Sequence, residues 1–485
     1  MGTTARRQAP ARSALCAALV ASQGLSAGCG DDGPNPSPSV DAGADASPDR
    51  APDTPPAPDA ASSTDGANSE ETNPEASGDV DVDARSPDAP TKSRIEHVIL
   101  IVQENHTFDS YFGRYCTAPA GSRPTCTTGP ECCEAAPDRE PSGSTPVTLD
   151  DAATGAYDPN HSRSCEAAEI NGGLMDRYVR GASCSNASNF GIAPAAIVAK
   201  YHALAQSYAL AAAYFQPIVG ATASNNMYFA VAHQVFYDND FYPPTSGADC
   251  GGGTKRTFTG DTIADLLVRA GYTFATYAEG YAIAQKSATC GPAPADCPAQ
   301  VSEYPCLFDP SDIPFQYYAT FNDNPKYMKD FVELAADIDG GKMPTFAYVK
   351  SIGYRTEHPG SGTTISAGVT FVDGVVQKVL GSSYALTTLV LLAYDEGGGY
   401  FDHVAPPPAS TVDGEAYGTR LPFLAIGRFA RKNFISHVTM EHSSVVKFLE
   451  YNFLGATGQL KARDAVVNNI GSLLDPGQVG VVIPD

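Results

Sequence analysis

The apolar residues of this chain fall into short, nearly continuous runs separated by longer stretches of helical spacing. Ile95–Val102, Tyr272–Tyr277, Thr345–Val349, Leu389–Tyr394 and Leu421–Ile426 are five to eight residues long and rich in β-branched or aromatic side chains. Such runs predict strands, and runs that are apolar throughout, rather than at alternate positions, predict strands covered on both sides. Between them, Ala195–Tyr208, Thr262–Ala270, Pro325–Asp337, Gly368–Leu380 and Ser443–Phe453 place apolar residues every three to four positions, which predicts helices. Alternation of strand and helix predicts an α/β domain built on a mainly parallel sheet with helices on both faces. Gly-, Pro- and Cys-containing loops at 237–260 and 282–310 are expected to shape a substrate cleft.

The pattern is absent from the first part of the chain. Residues 30–91 are Pro, Ala, Asp, Ser and Gly with almost no large apolar side chain, so they are expected to form a disordered linker. Residues 1–29 read as an export signal: Arg6, Arg7 and Arg12 precede the short apolar stretch Ala14–Val20, and Leu25-Ser26-Ala27-Gly28-Cys29 follows. Small residues before a cysteine resemble a bacterial lipobox and make Cys29 a candidate for lipidation, although leucine sits four residues before it where three is usual. Ordinary signal cleavage is the alternative. The apolar stretch is too short to span a bilayer, and no other run approaches about 20 apolar residues. The expected organisation is therefore signal 1–29, linker 30–91 and catalytic domain 92–485, in an exported protein that meets a membrane only through a lipid anchor.

Composition narrows the classes further. The formal charge of −24 over 485 residues argues against nucleic acid as a partner. Of 12 cysteines, Cys16 and Cys29 belong to the signal, and the other ten suit up to five disulfides in an exported domain. Adjacent Cys132 and Cys133 are expected to bridge to separate partners.

Two strand runs end on pairs of hard oxygen donors. Ile95–Val102 leads into Gln103-Glu104-Asn105, and Leu389–Tyr394 into Asp395-Glu396-Gly397-Gly398-Gly399. In a parallel sheet such ends gather at one edge, where ligands bind. Glu104, Asn105, Asp395 and Glu396 together suit a cation, and a cation suits an anionic substrate. A third stretch, Ile218 to Asn226, carries a glycine turn and small hydroxyl residues into a helix, whose exposed N–H groups favour anions. Thr222 there is either a nucleophile beside a metal or a helix cap. His161, His358, His403 and His442 lie in polar loops, where each is a candidate phosphoryl or leaving-group contact or a surface residue.

The run Ile95-Glu96-His97-Val98 through Gln103-Glu104-Asn105-His106-Thr107-Phe108-Asp109-Ser110-Tyr111-Phe112-Gly113 resembles the opening signature of the bacterial phosphoesterase family. Tyr394-Asp395-Glu396-Gly397-Gly398-Gly399-Tyr400-Phe401-Asp402-His403-Val404 resembles its second signature, and Glu441-His442-Ser443-Ser444 its C-terminal element. That family contains phospholipases C and acid phosphatases and has an alkaline-phosphatase-like fold. The resemblance implies Glu104, Asn105, Asp395 and Glu396 as metal ligands and Thr222, in Gly220-Ala221-Thr222-Ala223-Ser224-Asn225, as the nucleophile. It implies His161, ahead of Asn171-Gly172-Gly173-Leu174-Met175-Asp176, and His358, in Glu357-His358-Pro359, as active-site histidines, with Glu279 a further pocket element. The family's two prolines around the nucleophile are Ala221 and Ser224 here, and its following arginine is Asn226. A metal-dependent hydrolase of phosphate esters or phospholipids is therefore expected, using Ca²⁺, Mg²⁺ or Mn²⁺, or Zn²⁺ if a histidine coordinates. The alternative is a surface-tethered binding protein on an inactive scaffold.

Overall fold

The structure is a computed structural model that describes residues 92–247, 253–286, 297 and 304–485. The expected export signal with Cys29, the expected linker, Cys250, Cys290 and parts of the two loops expected to shape a cleft lie outside the described residues.

Eight strands form the central sheet: β1 (His97–Gln103), β2 (Ala209–Ala211), β3 (Phe274–Ala278), β4 (Met328–Asp330), β5 (Phe346–Lys350), β6 (Thr388–Tyr394), β7 (Phe423–Ile426) and β8 (Phe434–Ser436). Their order is β8-β2-β7-β6-β1-β5-β3-β4, and only β7 runs against the others. All five predicted strands are present. The three that the pattern misses, β2, β4 and β8, are each three residues long, too short to show a period. Every residue of β3, β5, β6 and β7 is buried, as is Val98–Gln103 of β1, so both faces of the sheet are covered.

The helices that matter here are α1 (Phe108–Phe112), α2 (Arg163–Ile170), α3 (Ala199–Ser207), α4 (Thr222–Asn226), α5 (Ile263–Arg269), α6 (Val332–Asp339), α7 (Ile365–Leu380) and α8 (His442–Leu449). Local chemistry fixes their starts. Thr262 and Asp265 form a capping box on α5, and Thr364 caps α7 through the Ala367 amide. One expectation needs correction: Pro325–Asp337 is not a single helix. Met328–Asp330 pairs with Thr276–Ala278 as the edge strand, and the helix begins only at Val332. Tertiary pairing overrides the local helical spacing there.

Disulfides Cys116–Cys133, Cys126–Cys132, Cys165–Cys184 and Cys297–Cys306 staple the loops, so the adjacent pair does bridge to separate partners. No described helix is long and apolar enough to cross a membrane.

Candidate active site

Parallel pairing of β1 with β6 puts Gln103 opposite Tyr394, so the residues that follow, Glu104-Asn105 and Asp395-Glu396, leave the sheet side by side. The Asp395 amide donates to the Gln103 carbonyl at 3.1 Å and extends the ladder past the last register pair. The glycine run then folds back over the first strand end. A Cβ on Gly398 would stand 2.6 Å from Asn105 Cβ, one on Gly397 2.0 Å from Thr419 Oγ1, and one on Gly399 2.9 Å from Pro159. Only a backbone without side chains passes through this gap.

All four predicted ligand residues are buried. Asn105 Oδ1, Asp395 Oδ2 and Glu396 Oε1 have no formed hydrogen bond, and Glu104 Oε1 has only an ion pair with Lys350. Buried polar atoms are ordinarily satisfied, so this concentration of orphans marks a place built for another group. The electrostatics agree. Burial, reinforced by neighbouring carboxylates, pushes Asp395 up to about 8 and Glu396 well above the ordinary range. Burial also acts on Glu104, but Lys350 and His358 outweigh it and hold that carboxyl below its usual value.

Thr222 lies at the first position of α4, where its hydroxyl faces the Asp395 carboxylate. The cap position belongs to Ala221, so Thr222 does not cap the helix. The turn before it is held from several sides: Gly220 N donates to Glu166 at 2.6 Å, and Asn225 Nδ2 to the Gly220 carbonyl at 2.7 Å. The expectation of open N–H groups at this helix start is narrowed, because the Ala221, Ala223 and Ser224 amides are already engaged. Asp238 accepts from the Ala221 amide, its carbonyl from Ser224, and Asn239 from Ala223.

His161 and His358 join this group. His161 Nε2 is 3.6 Å from Glu396 Oε1, and the two imidazoles meet edge-on at 5.6 Å. His161 Nδ1 faces the Pro159 carbonyl at 2.8 Å, and His358 Nδ1 the Pro359 carbonyl at 2.7 Å. These partners assign the proton to Nδ1 in each ring and leave Nε2 as the reactive nitrogen. Asp158, His161 and His358 offer ligand atoms within 4.8 Å of one another.

The other candidates stand elsewhere. His442 is buried behind the site, with Nε2 on the Asp395 carbonyl at 2.8 Å, Nδ1 on Tyr214 and the ring stacked on Phe229. It steadies Asp395 and has no solvent face. Glu279 binds Arg355 at 2.6 Å and so fixes the loop after β5. His403 belongs to a buried network: it bridges Asp109 and Glu134, while Arg420 binds Asp109 and Asp402 at 3.1 and 3.2 Å. Asp109, Asp402 and His403 also lie close enough for a cation, but Arg420 already supplies the positive charge. Replacing Arg420 by methionine is expected to cost about 3–5 kcal/mol by stranding two buried carboxylates. A falling urea midpoint would measure it, and an unchanged midpoint would contradict this charge pairing.

Sequence reasoning missed Lys350 and Asp312. Lys350 closes β5 at the same sheet edge, buried against Glu104 and 3.6 Å from Asp312 Oδ2. A charge at the end of an apolar strand was the available signal. It also missed Glu166, which sits on α2 among polar residues and has no spacing to single it out.

A sequence model of the phosphoesterase family matches residues 95–454. Phospholipase C B of Mycobacterium tuberculosis is 25% identical over 429 residues, 78% of this chain and 77% of that protein. Hemolytic phospholipase C of Pseudomonas aeruginosa is 23% identical over 422 residues, 79% of this chain but 56% of that protein. A solved protein of the alkaline phosphatase superfamily from Vibrio parahaemolyticus covers 77% of this chain and 70% of its own at 11% identity, with a TM-score of 0.35, a likeness too loose to weigh. A match running from β1 to the end of the segment after α8, through both strand ends that carry the orphaned oxygens, places the chain in the phosphoesterase family of phosphoric ester hydrolases.

Proposed function

We propose that this protein is an exported, metal-dependent phosphoric ester hydrolase in which Thr222 is the nucleophile. One observation carries the reading: two adjacent strand ends hold Glu104, Asn105, Asp395 and Glu396 with buried oxygens lacking formed hydrogen bonds, next to a buried hydroxyl. Leaving such groups unpaired is costly, and one divalent cation satisfies them together. Glu104, Asn105, Asp395, Glu396 and Thr222 would hold it. Their oxygen-only donor set suits Ca²⁺, Mg²⁺ or Mn²⁺, whereas the neighbouring Asp158–His161–His358 group would suit Zn²⁺. When bound, the cation neutralises charge on the phosphoryl oxygens and lowers the pKa of an adjacent hydroxyl.

The chain's own residues do the rest. Thr222 Oγ1 forms a bond to phosphorus as the ester bond breaks, leaving a phosphothreonine. With Nδ1–H held by a carbonyl, Nε2 of His161 or His358 takes the proton that Thr222 loses and passes it to the leaving alkoxide. The same nitrogen then takes a proton from the water that hydrolyses the phosphothreonine and returns it to the departing Thr222 oxygen. Lys350 places a fixed positive charge beside Glu104, which favours an anionic substrate. Four disulfides among the described residues support an extracytoplasmic protein. Phosphomonoesters and phospholipid-type diesters both fit this chemistry.

Purified protein assayed on p-nitrophenyl phosphate and p-nitrophenylphosphorylcholine, with and without EDTA, tests the reading. Chelator-sensitive release of nitrophenol is expected, and the preferred substrate separates monoesterase from diesterase. No release from either, across pH and added divalent cations, would overturn it.

A further inference from the structure

Glu357 has a backbone conformation that its side chain must justify. Its φ is +73°, in the left-handed region that non-glycine residues rarely adopt. Its carboxylate is buried and gathers four donors from three distant segments. Tyr111 and Tyr394 donate to Oε2 at 2.6 and 2.7 Å, and Tyr201 and Gln103 donate to Oε1, the latter at 3.1 Å. Its backbone carbonyl accepts from His106 Nε2 at 3.0 Å. Space for it comes from α7, where a Cβ on Gly368 would lie 2.1 Å from Glu357 Cγ.

The identity of the donors gives the cluster its meaning. Gln103 immediately precedes Glu104, Tyr394 immediately precedes Asp395, and Glu357 itself immediately precedes His358. Three separate chain segments thus enter the site directly from one carboxylate. The Glu104 amide also donates to the Thr356 carbonyl at 2.8 Å, which locks the first strand end to the same turn. Tyr111 and Tyr201, on α1 and α3, supply the other two donors, one to each carboxylate oxygen.

We propose that Glu357 is a positioning residue: its carboxylate sets the ends of β1 and β6 and the His358 turn in one register, so that Glu104, Asp395 and His358 face a common point. It touches neither substrate nor cation and acts through Gln103, Tyr394 and its own backbone. The part of this concerning cation affinity rests on the function proposed above; the part concerning the strand ends does not.

Two readouts on Glu357→Gln separate them. The first is Mn²⁺ affinity, followed by the electron paramagnetic resonance of the bound ion. The second is hydrogen–deuterium exchange of peptides spanning 103–107 and 394–398, with Val98–Leu100 as an internal control. Glutamine keeps the size of the side chain but brings its own N–H donors into a ring of donors, so Mn²⁺ binding is expected to weaken about 10–100-fold, as when outer hydrogen bonds of metal ligands are lost. Both strand-end peptides are expected to exchange faster while the control stays protected. Should E357Q fail to fold, Tyr201→Phe, which deletes one donor and no volume, is read in the same way. Wild-type affinity and wild-type exchange in the folded variant overturn the proposal. Wild-type protein that binds no Mn²⁺, with a variant whose strand ends still loosen, removes the cation reading and leaves the positioning role standing.

Discussion

Thr222→Ala is expected to lower turnover of the preferred nitrophenyl ester roughly 10⁴-fold or more, within the range that loss of a nucleophile spans. The variant should fold normally. Thr222 does not cap α4, and the turn before it is held by Glu166 and Asn225, so deleting the hydroxyl breaks no hydrogen bond that supports the helix. Thr222→Ser keeps the hydroxyl and loses one methyl; it should retain activity within about tenfold and form the same covalent adduct. Acid-quenched protein after brief exposure to substrate would carry a phosphoryl group in wild type and Thr222→Ser, and none in Thr222→Ala. Full activity in the alanine variant would remove Thr222 from the mechanism and leave a water attacking directly.

The second large effect concerns the metal-free protein. Between pH 6.5 and 8 its melting temperature is expected to fall by several degrees, where about 1 kcal/mol corresponds to roughly 2–4 °C or less in a domain of this size. The sign follows from proton binding. Burial raises Asp395 and Glu166 to about 8 and Glu357 and Glu441 to about 7, so the folded state holds protons that the unfolded chain has already released. Stability then declines as pH climbs through these values. The opposing groups act lower on the scale. His106 and His442, depressed to about 3 chiefly by burial, add stability as pH rises, but only up to the ordinary histidine value of 6.5. Glu104 and Asp109, held below the usual carboxylate range, have delivered theirs by about pH 5. A divalent cation needs its carboxylates ionised and releases their protons on binding, so its protection grows across the same window. At 1,000-fold excess over Kd it contributes about 4 kcal/mol. Melting curves at four pH values, with EDTA or with Mn²⁺, should therefore diverge as pH rises; parallel curves would contradict a carboxylate cation site.

Much of the framework was legible in the sequence because buried parallel strands carry apolar runs that little else produces. The same runs made Glu104, Asn105, Asp395 and Glu396 visible, since oxygen donors directly after such a run sit at the sheet edge. Thr222 was visible but ambiguous, and the structure turns it from Ala221's neighbour into a group facing Asp395. Glu357 was read only as a flank of His358. Nothing local says that Tyr111, Tyr201 and Tyr394, nearly 300 residues apart at the extremes, point their hydroxyls at one carboxylate. Lys350 was hidden for a different reason: a lone lysine at the last position of a strand is ordinarily solvated, and only the acidic residues gathered from elsewhere keep this one buried. Met328–Asp330 was misassigned because pairing with β3, not its own spacing, makes it a strand.

The passage of residues 397–399 through the gap between Asn105, Thr419 and Pro159 bears on how this protein can change over generations. Every codon change that adds even a methyl group there meets a backbone or side-chain wall, and at two of the three positions it also meets an unfavourable dihedral, φ being +64° and +70°. The run is a dead end for divergence. Change is expected to accumulate instead in loops away from this gap, which can lengthen or shorten without moving the ends of β1 and β6.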